Sequence, residues 1–217
     1  MSEARTITGA RTTTATTARE RLAGLMPQTP IEVLGAGGLR TPRFHLRALT
    51  EGDRVEFIRV MQLSRSHLER FSELHLQEES DDALFERQLG LTQRGEASGL
   101  ALRKVAVTGK GQIVGAFNLN SISRGLSFGG DLNWWVSAEA LHKGVATECI
   151  GGIVTHALRD LPGGLGLHEV RAFIQRDNEW SIRLAGKLGF VRQGEERSHL
   201  QTGDKWQLHD LYVRRVG

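Results

Sequence analysis

The hydrophobic and polar positions of the chain alternate with different periods, and each change of period predicts a new element. The run PRFHLRAL at 42–49 places Phe44 and Leu46 on one face, which is typical of a strand. The residues TEGD follow, and Thr50 with Asp53 fits a helix start before the apolar-periodic run RVEFIRVMQL. The pattern therefore predicts a strand followed by a helix.

A second helical pattern runs from about Asp81 to Arg94 and is closed by Gly95. The period then changes to that of strands. LALRKVAVT and QIVGAFNLN are joined by GKG at 109–111, which indicates a hairpin, and GDLNWWVS is a third strand.

The last third of the chain alternates between the two periods. A helical pattern runs from Gly144 to Leu158, and HEVRAFIQ reads as a strand. NEWSIRLAGKLGF is helical and ends at Gly189, and RQGEERSHL with KWQLHDLYV forms a hairpin turned at TGD. The order predicts an α+β domain with antiparallel strands first, one strand–helix–strand crossover, and a closing hairpin.

Composition is that of a soluble globular protein. The 217 residues are 39% hydrophobic and 24% charged with a net charge of +3, and they suit one domain. No apolar run approaches the roughly 18–20 residues of a membrane helix, so no membrane partner is expected. Residues 1–30 are rich in Thr and Arg without the apolar core of a secretory signal, which predicts a flexible leader before a domain at 31–217. The single cysteine, Cys149, suits a cytoplasmic protein and reads as a buried structural thiol.

The stretch SAEALHKGVATECI places Gly144 between a strand and a helix start. Main-chain N–H groups at 142–146 would be unpaired there and would carry a partial positive charge, to which Lys143 adds. These properties suit a phosphate. The stretch is neither GxxxxGK[ST] nor GxGxxG, and a loop without a ligand is an equal alternative on this signal alone.

The segment RDNEWSIRLAGKLGFVRQGEE at 176–196 resembles the Asn-x-x-Ser helix and KLGF exit of the Gcn5-related N-acetyltransferase (GNAT) superfamily. The branch that acetylates the N-termini of ribosomal proteins is the most similar. GQIVGAFNLNSISRG and GDKWQLHDLYV also resemble segments of that family, and the resemblance covers about 41–213. It implies a mixed, mostly antiparallel sheet of about seven strands, flanked by helices and splayed between the fourth and fifth strands.

The resemblance also implies a site for coenzyme A. The phosphate-binding motif of the family, [Gln/Arg]-x-x-Gly-x-[Gly/Ala], falls on 141–146, with Leu141 in place of Gln or Arg and His142 where Gly is common. Trp134 and Trp135 lie where the strand of the family splays open and its main chain pairs with the pantetheine arm, although aromatic core packing explains them equally well. The residues expected to bind the cofactor are Trp134, Val136, Leu141, His142, Lys143, Gly144, Val145, Ala146, Thr147 and Asn178.

Acyl transfer to an amine needs a base and a proton for the leaving thiolate. In relatives the Asn-x-x-Ser pair faces the thioester, and this pair maps onto Asn178 and Ser181. Ser181 is therefore the candidate proton source for the thiolate. The structural alternative is that the two residues only cap the helix. Asp131 shares a strand face with Asn133 and is the candidate base or, alternatively, a solvated carboxylate. His199 is the second candidate base, and the alternative is that this histidine has only a structural role. One cysteine and no ligand spacing among the histidines predict no metal site.

Three functions remain open at the level of sequence. The first is an N-acyltransferase that moves an acetyl or other acyl group from acetyl-CoA, by direct attack, to a small amine or a protein N-terminus. The second takes its acyl group from a phosphopantetheine thioester on a carrier protein or from aminoacyl-tRNA, since Leu141 and His142 depart from the motif. The third is a non-catalytic module that senses CoA or binds a partner. The sequence allows a homodimer but does not determine the oligomeric state. Trp180 and Trp206 fit either the lining of an acceptor pocket or the core.

Overall fold

The computed structural model describes residues 29–71, 74–76, 78–202 and 205–216, without the side chains of 36 and 194–205. Residues 1–28, most of the predicted leader, lie outside the described residues, and the division of the chain at residue 30 stays a prediction.

A single sheet with nine described strands forms the centre of the fold, in the order β1-β2-β3-β4-β5-β6-β7-β9-β8. Neighbouring strands are antiparallel except β6 and β7, which are parallel. The α+β class and the mostly antiparallel sheet are therefore confirmed, but the count of about seven strands was too low, because two strands of two residues each precede the first predicted one. The strands are β1 Glu32–Val33, β2 Leu39–Arg40, β3 His45–Arg47, β4 Leu102–Val107, β5 Ile113–Arg124, β6 Phe128–Val136, β7 Glu169–Gln175, β8 Val191–Thr202 and β9 Lys205–Arg215.

Four α-helices lie within the described residues: α1 Arg54–Leu68, α2 Asp81–Ser98, α3 Val145–Leu158 and α4 Glu179–Lys187. The predicted end of α2 at Gly95 was wrong, because the helix continues to Ser98 and is capped by Gly99 at φ 68°. Gly95 lies inside the helix, and a Cβ there would stand 2.8 Å from Cβ of Ala101, where the chain turns back into β4. The glycine permits a close approach and does not end the helix.

The two faces of the sheet carry separate apolar cores. Leu132 belongs to the core that α3 covers, together with residues such as Ile150 and Ile153. Trp135, on the opposite face of β6, belongs to the core that α1 and α2 cover, where its ring lies 6.2 Å from that of Phe57. The alternation of β6 therefore supplies both cores, because successive side chains of a strand point to opposite faces of the sheet.

The parallel contact between β6 and β7 is short. It comprises three residue pairs and ends at Asp131 and Arg171. Beyond that point β6 continues to Val136 and β7 to Gln175, each paired only on its outer side. This gap is the predicted splay between the fourth and fifth strands, counted here as the sixth and seventh because β1 and β2 come first.

Candidate active site

The gap between β6 and β7 exposes main-chain groups of β6. The N–H of Ser137 donates to the carbonyl of Val114, 2.9 Å away, on β5. Because alternate residues of a strand direct their main-chain groups to the same side, those of Leu132 and Trp134 point away from β5 and into the gap. The gap therefore offers a ladder of donors and acceptors to an extended ligand.

Helix α1 covers the wide end of this gap. His67 donates from Nε2 to the carbonyl of Val136 over 2.9 Å, and this bond ties the end of α1 to the last residue of β6. The side chains of Trp134 and Val136 pack against the core on the α3 face. Their contribution to the gap is consequently made by the main chain.

The loop after β6 has the conformation that a phosphate site needs. Gly144 is the N-cap of α3 at φ 73° and ψ 10°, without a side-chain cap, and His142 is also left-handed at φ 59°. Among the described residues no acceptor is found for the main-chain N–H groups of 142–147. These donors stand at the N-terminus of a helix of 14 residues, where its dipole favours an anion.

The side chains of the loop are held by neighbouring elements. Val145 is buried in the core, and the ammonium of Lys143 donates to the carbonyl of Glu139 over 2.7 Å. The ring of His142 meets that of Trp180 edge-on, with 5.1 Å between centroids. This contact joins the phosphate loop to α4, across the gap.

The residue that braces this loop is Arg43, which no sequence pattern singled out. Its Nη1 donates to the carbonyl of Lys143 over 2.9 Å, and its Nε donates to Oε2 of Glu148 over 2.5 Å. Thr41 donates its hydroxyl to the same carboxylate over 2.7 Å. Burial alone would raise the pKa of Glu148, but the hydrogen bonds from Thr41 and Arg43 outweigh burial and lower it. The partners lie 100 or more residues apart, so no local pattern could have identified them.

Helix α4 forms the other side of the site. Oδ1 of Asn178 accepts the main-chain N–H of Ser181 over 3.1 Å, so the capping role of Asn178 is present. The Ser181 hydroxyl has no partner among the residues that the structure describes, and this leaves it available to a ligand. Trp180 and Trp206 are 65% and 69% exposed, so a core role is wrong for both.

The candidate bases occupy different places. Asp131 lies at the closed end of the gap, where Nε of Arg171 donates to its Oδ1 over 2.7 Å. Arg171 thus fixes the carboxylate on the face of the sheet that α1 and α2 partly cover. His199 pairs with Leu208 through the backbone of β8, and β9 separates that strand from β7. The side chain of His199 lies outside the described residues, and its role stays a prediction.

Cys149 is fully buried in the core on α3. Burial raises the pKa of its thiol, which keeps it protonated and unreactive at neutral pH. No group of His, Cys, Asp or Glu in the described part of the chain is arranged to hold a metal ion. In the same part, no helix combines the length and the apolar character needed to cross a membrane.

Comparisons with known proteins identify the family and the fold of the chain. The family model described as an acetyltransferase (GNAT) domain matches residues 43–191. A probable N-acetyltransferase of Bacillus subtilis, YjcK, is 25% identical over 100 residues, which are 46% of this chain and 53% of the relative. The match therefore spans about half the length of that relative.

Three solved structures share the fold over most of their length. The ribosomal-protein-S5-alanine acetyltransferase of Vibrio fischeri has a TM-score of 0.66 at 21% identity, with 82% of this chain and 96% of that chain covered. Mycobacterium smegmatis RimJ in complex with CoA-disulfide has a TM-score of 0.70 at 18% identity, with 88% and 86% covered. The spermidine N-acetyltransferase of Vibrio cholerae, in complex with CoA and spermine, has a TM-score of 0.63 at 19% identity, with 80% and 95% covered.

Proposed function

Because the chain belongs to the GNAT acetyltransferase family and is an N-acyltransferase, we propose that it transfers an acetyl group from acetyl-CoA to a primary amine by direct attack. The observation that carries this proposal is the continuity of the gap between β6 and β7 with the phosphate loop. One ligand with an anionic end and an extended amide arm fits both.

The pyrophosphate of acetyl-CoA is held by the free N–H groups of 142–147 at the start of α3. The pantetheine arm lies in the gap and pairs with the main chain of Leu132 and Trp134, as an added strand would. Its thioester then lies towards the closed end, near Asp131. The CoA complexes among the structural neighbours support this choice of donor.

The chemistry requires two proton transfers. The amine nitrogen attacks the thioester carbonyl carbon, the C–S bond breaks, and an amide and a thiolate form. Asp131, directly or through a water, accepts the proton that the amine loses. The hydroxyl of Ser181 gives its proton to the thiolate and takes another from a solvent water, so that no alkoxide is left. Cys149 takes no part, because it is buried; a labelled acetyl-protein formed with acetyl-CoA alone would contradict direct transfer.

The acceptor enters from the face of the sheet that carries Asp131, since the opposite face is closed by α3. Among the neighbours, one is named for an alanine of a ribosomal protein and another for spermidine. A protein N-terminus and a small amine are thus both precedents for this fold, and we assign a primary amine to this chain.

The test compares two variants that place the same charge on the same backbone conformation. Gly144→Asp puts a carboxylate among the proposed phosphate donors. Gly99→Asp adds the same carboxylate at φ 68° on the C-cap of α2, away from the phosphate loop, where a Cβ meets nothing within 4 Å. Calorimetric titration with acetyl-CoA should show binding weakened at least about 30-fold by Gly144→Asp, about 2 kcal/mol, and unchanged by Gly99→Asp.

Each other outcome has a definite meaning. If acetyl-CoA binds the intact protein and Gly144→Asp equally well, the phosphate site is wrongly placed. If the intact protein does not bind acetyl-CoA, the donor is wrong, and a carrier-protein thioester and aminoacyl-tRNA become the donors to titrate.

A further inference from the structure

Arg103 on β4 is a guanidinium without an anionic partner among the described residues. Its Nη1 donates to Oδ1 of Asn120 over 2.8 Å and its Nη2 to Oε1 of Gln88 over 2.7 Å, and both acceptors are neutral amides. Its Nε is buried and has no acceptor within the described residues. Burial, and secondarily the like charge of Arg87, lower the pKa of Arg103. A charge removed from water in this way is costly unless an anion joins it.

Arg103 lines a small pocket between the sheet and helices α1 and α2. Half of the lining residues are apolar and belong to the second core, including Phe57 and Trp135. The polar half comes from Gln88, Thr92, Asn118, Arg103 itself and Lys104, whose ammonium is paired with Glu96. With a volume of about 20 Å³ the pocket has room for one small polar group beside Arg103, such as the anionic end of a ligand whose remainder lies outside it.

A row of polar side chains leads from Arg103 to the closed end of the gap. Asn120, which accepts from Arg103, is the register partner of Asp131 on β6. Adjacent strands lie about 4.8 Å apart, so the guanidinium stands about 5–10 Å from the Asp131 carboxylate along this row. A positive group and a negative group thus flank the place where the acceptor enters.

We propose that Arg103 binds an anionic group of the acceptor, a carboxylate or phosphate about 5–10 Å from the amine that Asp131 receives. This inference rests on the proposed function and specifies its substrate class. The preferred acceptor is an acidic amine, either a free dicarboxylic amino acid or a peptide N-terminus followed by an acidic residue. Polycationic amines are disfavoured, because they would add charge beside Arg103.

The competing explanation is that Arg103 only ties α2 to the sheet through its two amide partners. That role needs hydrogen-bond donors but no charge, and it uses two of the five donors of a guanidinium. It predicts a loss of stability on substitution and no effect on the choice of acceptor. The two explanations therefore differ in a kinetic measurement.

The experiment measures acetyl-CoA-dependent acetylation of matched acceptors by the full chain. Glutamate is compared with glutamine, and a peptide beginning Ala-Glu with its Ala-Gln counterpart, so that the two arms separate the free amino acid from the peptide. We expect the acidic member of at least one pair to have a kcat/KM at least about tenfold higher. Arg103→Gln should abolish that preference by raising KM for the acidic acceptor alone, and Arg103→Lys should restore part of it.

Arg124→Gln is the matched control, because Arg124 is exposed at the far end of β5 and donates only to the carbonyl of Gly99 among the described residues. It makes the same charge change and should leave the preference intact. Equal kcat/KM values within both pairs for the intact protein would overturn the inference and leave the transferase assignment standing. A preference that survives in folded Arg103→Gln would also overturn it.

A measurement without turnover covers the case in which Arg103→Gln does not fold. The CoA complex of the intact protein should be stabilised against heat more by N-acetylglutamate than by N-acetylglutamine, or by the acetylated acidic peptide than by its amide counterpart. Equal stabilisation in both pairs would contradict the anionic subsite. Absence of acetylation of every acceptor together with absence of CoA binding would instead contradict the proposed function.

Discussion

At the scale of single residues, the site depends on side chains that shape the main chain around a ligand. Arg43 is the clearest case. Its guanidinium joins the carbonyl of Lys143 to the carboxylate of Glu148, and its Nη2 would lie 3.4 Å from a Cβ on Gly144. It therefore holds the loop in the conformation that leaves the N–H groups free, and it adds positive charge beside them.

We predict that Arg43→Met weakens acetyl-CoA binding about tenfold, about 1.4 kcal/mol, while KM for the acceptor is unchanged. Methionine keeps the apolar stem and removes the charge and both hydrogen bonds. Calorimetric titration measures the effect. Arg40→Met is the control, since Arg40 forms an exposed ion pair with Glu32; equal losses in the two variants would contradict the bracing role.

At the scale of elements, the important feature is a parallel strand pair that stops after three residue pairs. Strand β6 stays paired to β5 as far as Val136, while β7 diverges from it after Asp131 and Arg171. Gly115 on β5 makes this close pairing possible, because a Cβ there would stand 2.4 Å from the carbonyl oxygen of Trp135. That contact is with backbone and cannot be relieved by a side-chain rotation.

We predict that Gly115→Ala lowers the free energy of unfolding by about 2 kcal/mol and weakens acetyl-CoA binding, because β6 must shift towards the gap. Gly125→Ala, in the turn between β5 and β6 with nothing within 4 Å of its Cβ, should change stability by less than about 0.5 kcal/mol. Urea unfolding and titration of both variants test this. If Gly115→Ala is destabilised but binds acetyl-CoA as tightly as the intact protein, the predicted shift of β6 into the gap is wrong.

At the scale of the whole molecule, helices on both faces bury polar groups as well as apolar ones. His156 near the end of α3 is buried, and its Nδ1 has no partner among the described residues. Burial, followed by the charges of Arg159 and Lys104, lowers its pKa, and a hydrogen bond with the main chain of Gly163 only partly offsets this. The folded protein therefore holds this proton less tightly than the unfolded chain does.

The consequence is a loss of global stability in acid. The contribution of neutral His156 is fully present above the ordinary histidine pKa of 6.5 and is lost as the pH falls through the lowered one, by at most about 1.4 kcal/mol per pH unit. We predict that His156→Gln reduces the difference in unfolding free energy between pH 8 and pH 5, whereas the exposed His168→Gln leaves it unchanged. Urea unfolding at the two pH values measures this, and an unchanged difference in His156→Gln would show that other groups cause it.

Local patterns in the sequence determined most of the elements and the donor side of the site. The alternation of β6 fixed which of its residues face each core, because side chains of a strand alternate whatever the partner strands are. Gly144 before an apolar helical pattern located the helix start, since glycine adopts the left-handed conformation without strain. The spacing of Asn178 and Ser181 likewise follows from the geometry of a single helix turn.

Only the tertiary structure decided which side chains from distant parts of the sequence contact one another. The brace of Arg43 on Glu148, the neutral partners of Arg103 and the ion pair of Asp131 with Arg171 each join residues that are far apart in sequence. Their identities carry no periodic signal, because a charged side chain at one position is compatible with a solvated surface until its neighbours are known. The position where β6 and β7 part is likewise visible only in the tertiary structure, where their pairing ends at Asp131 and Arg171.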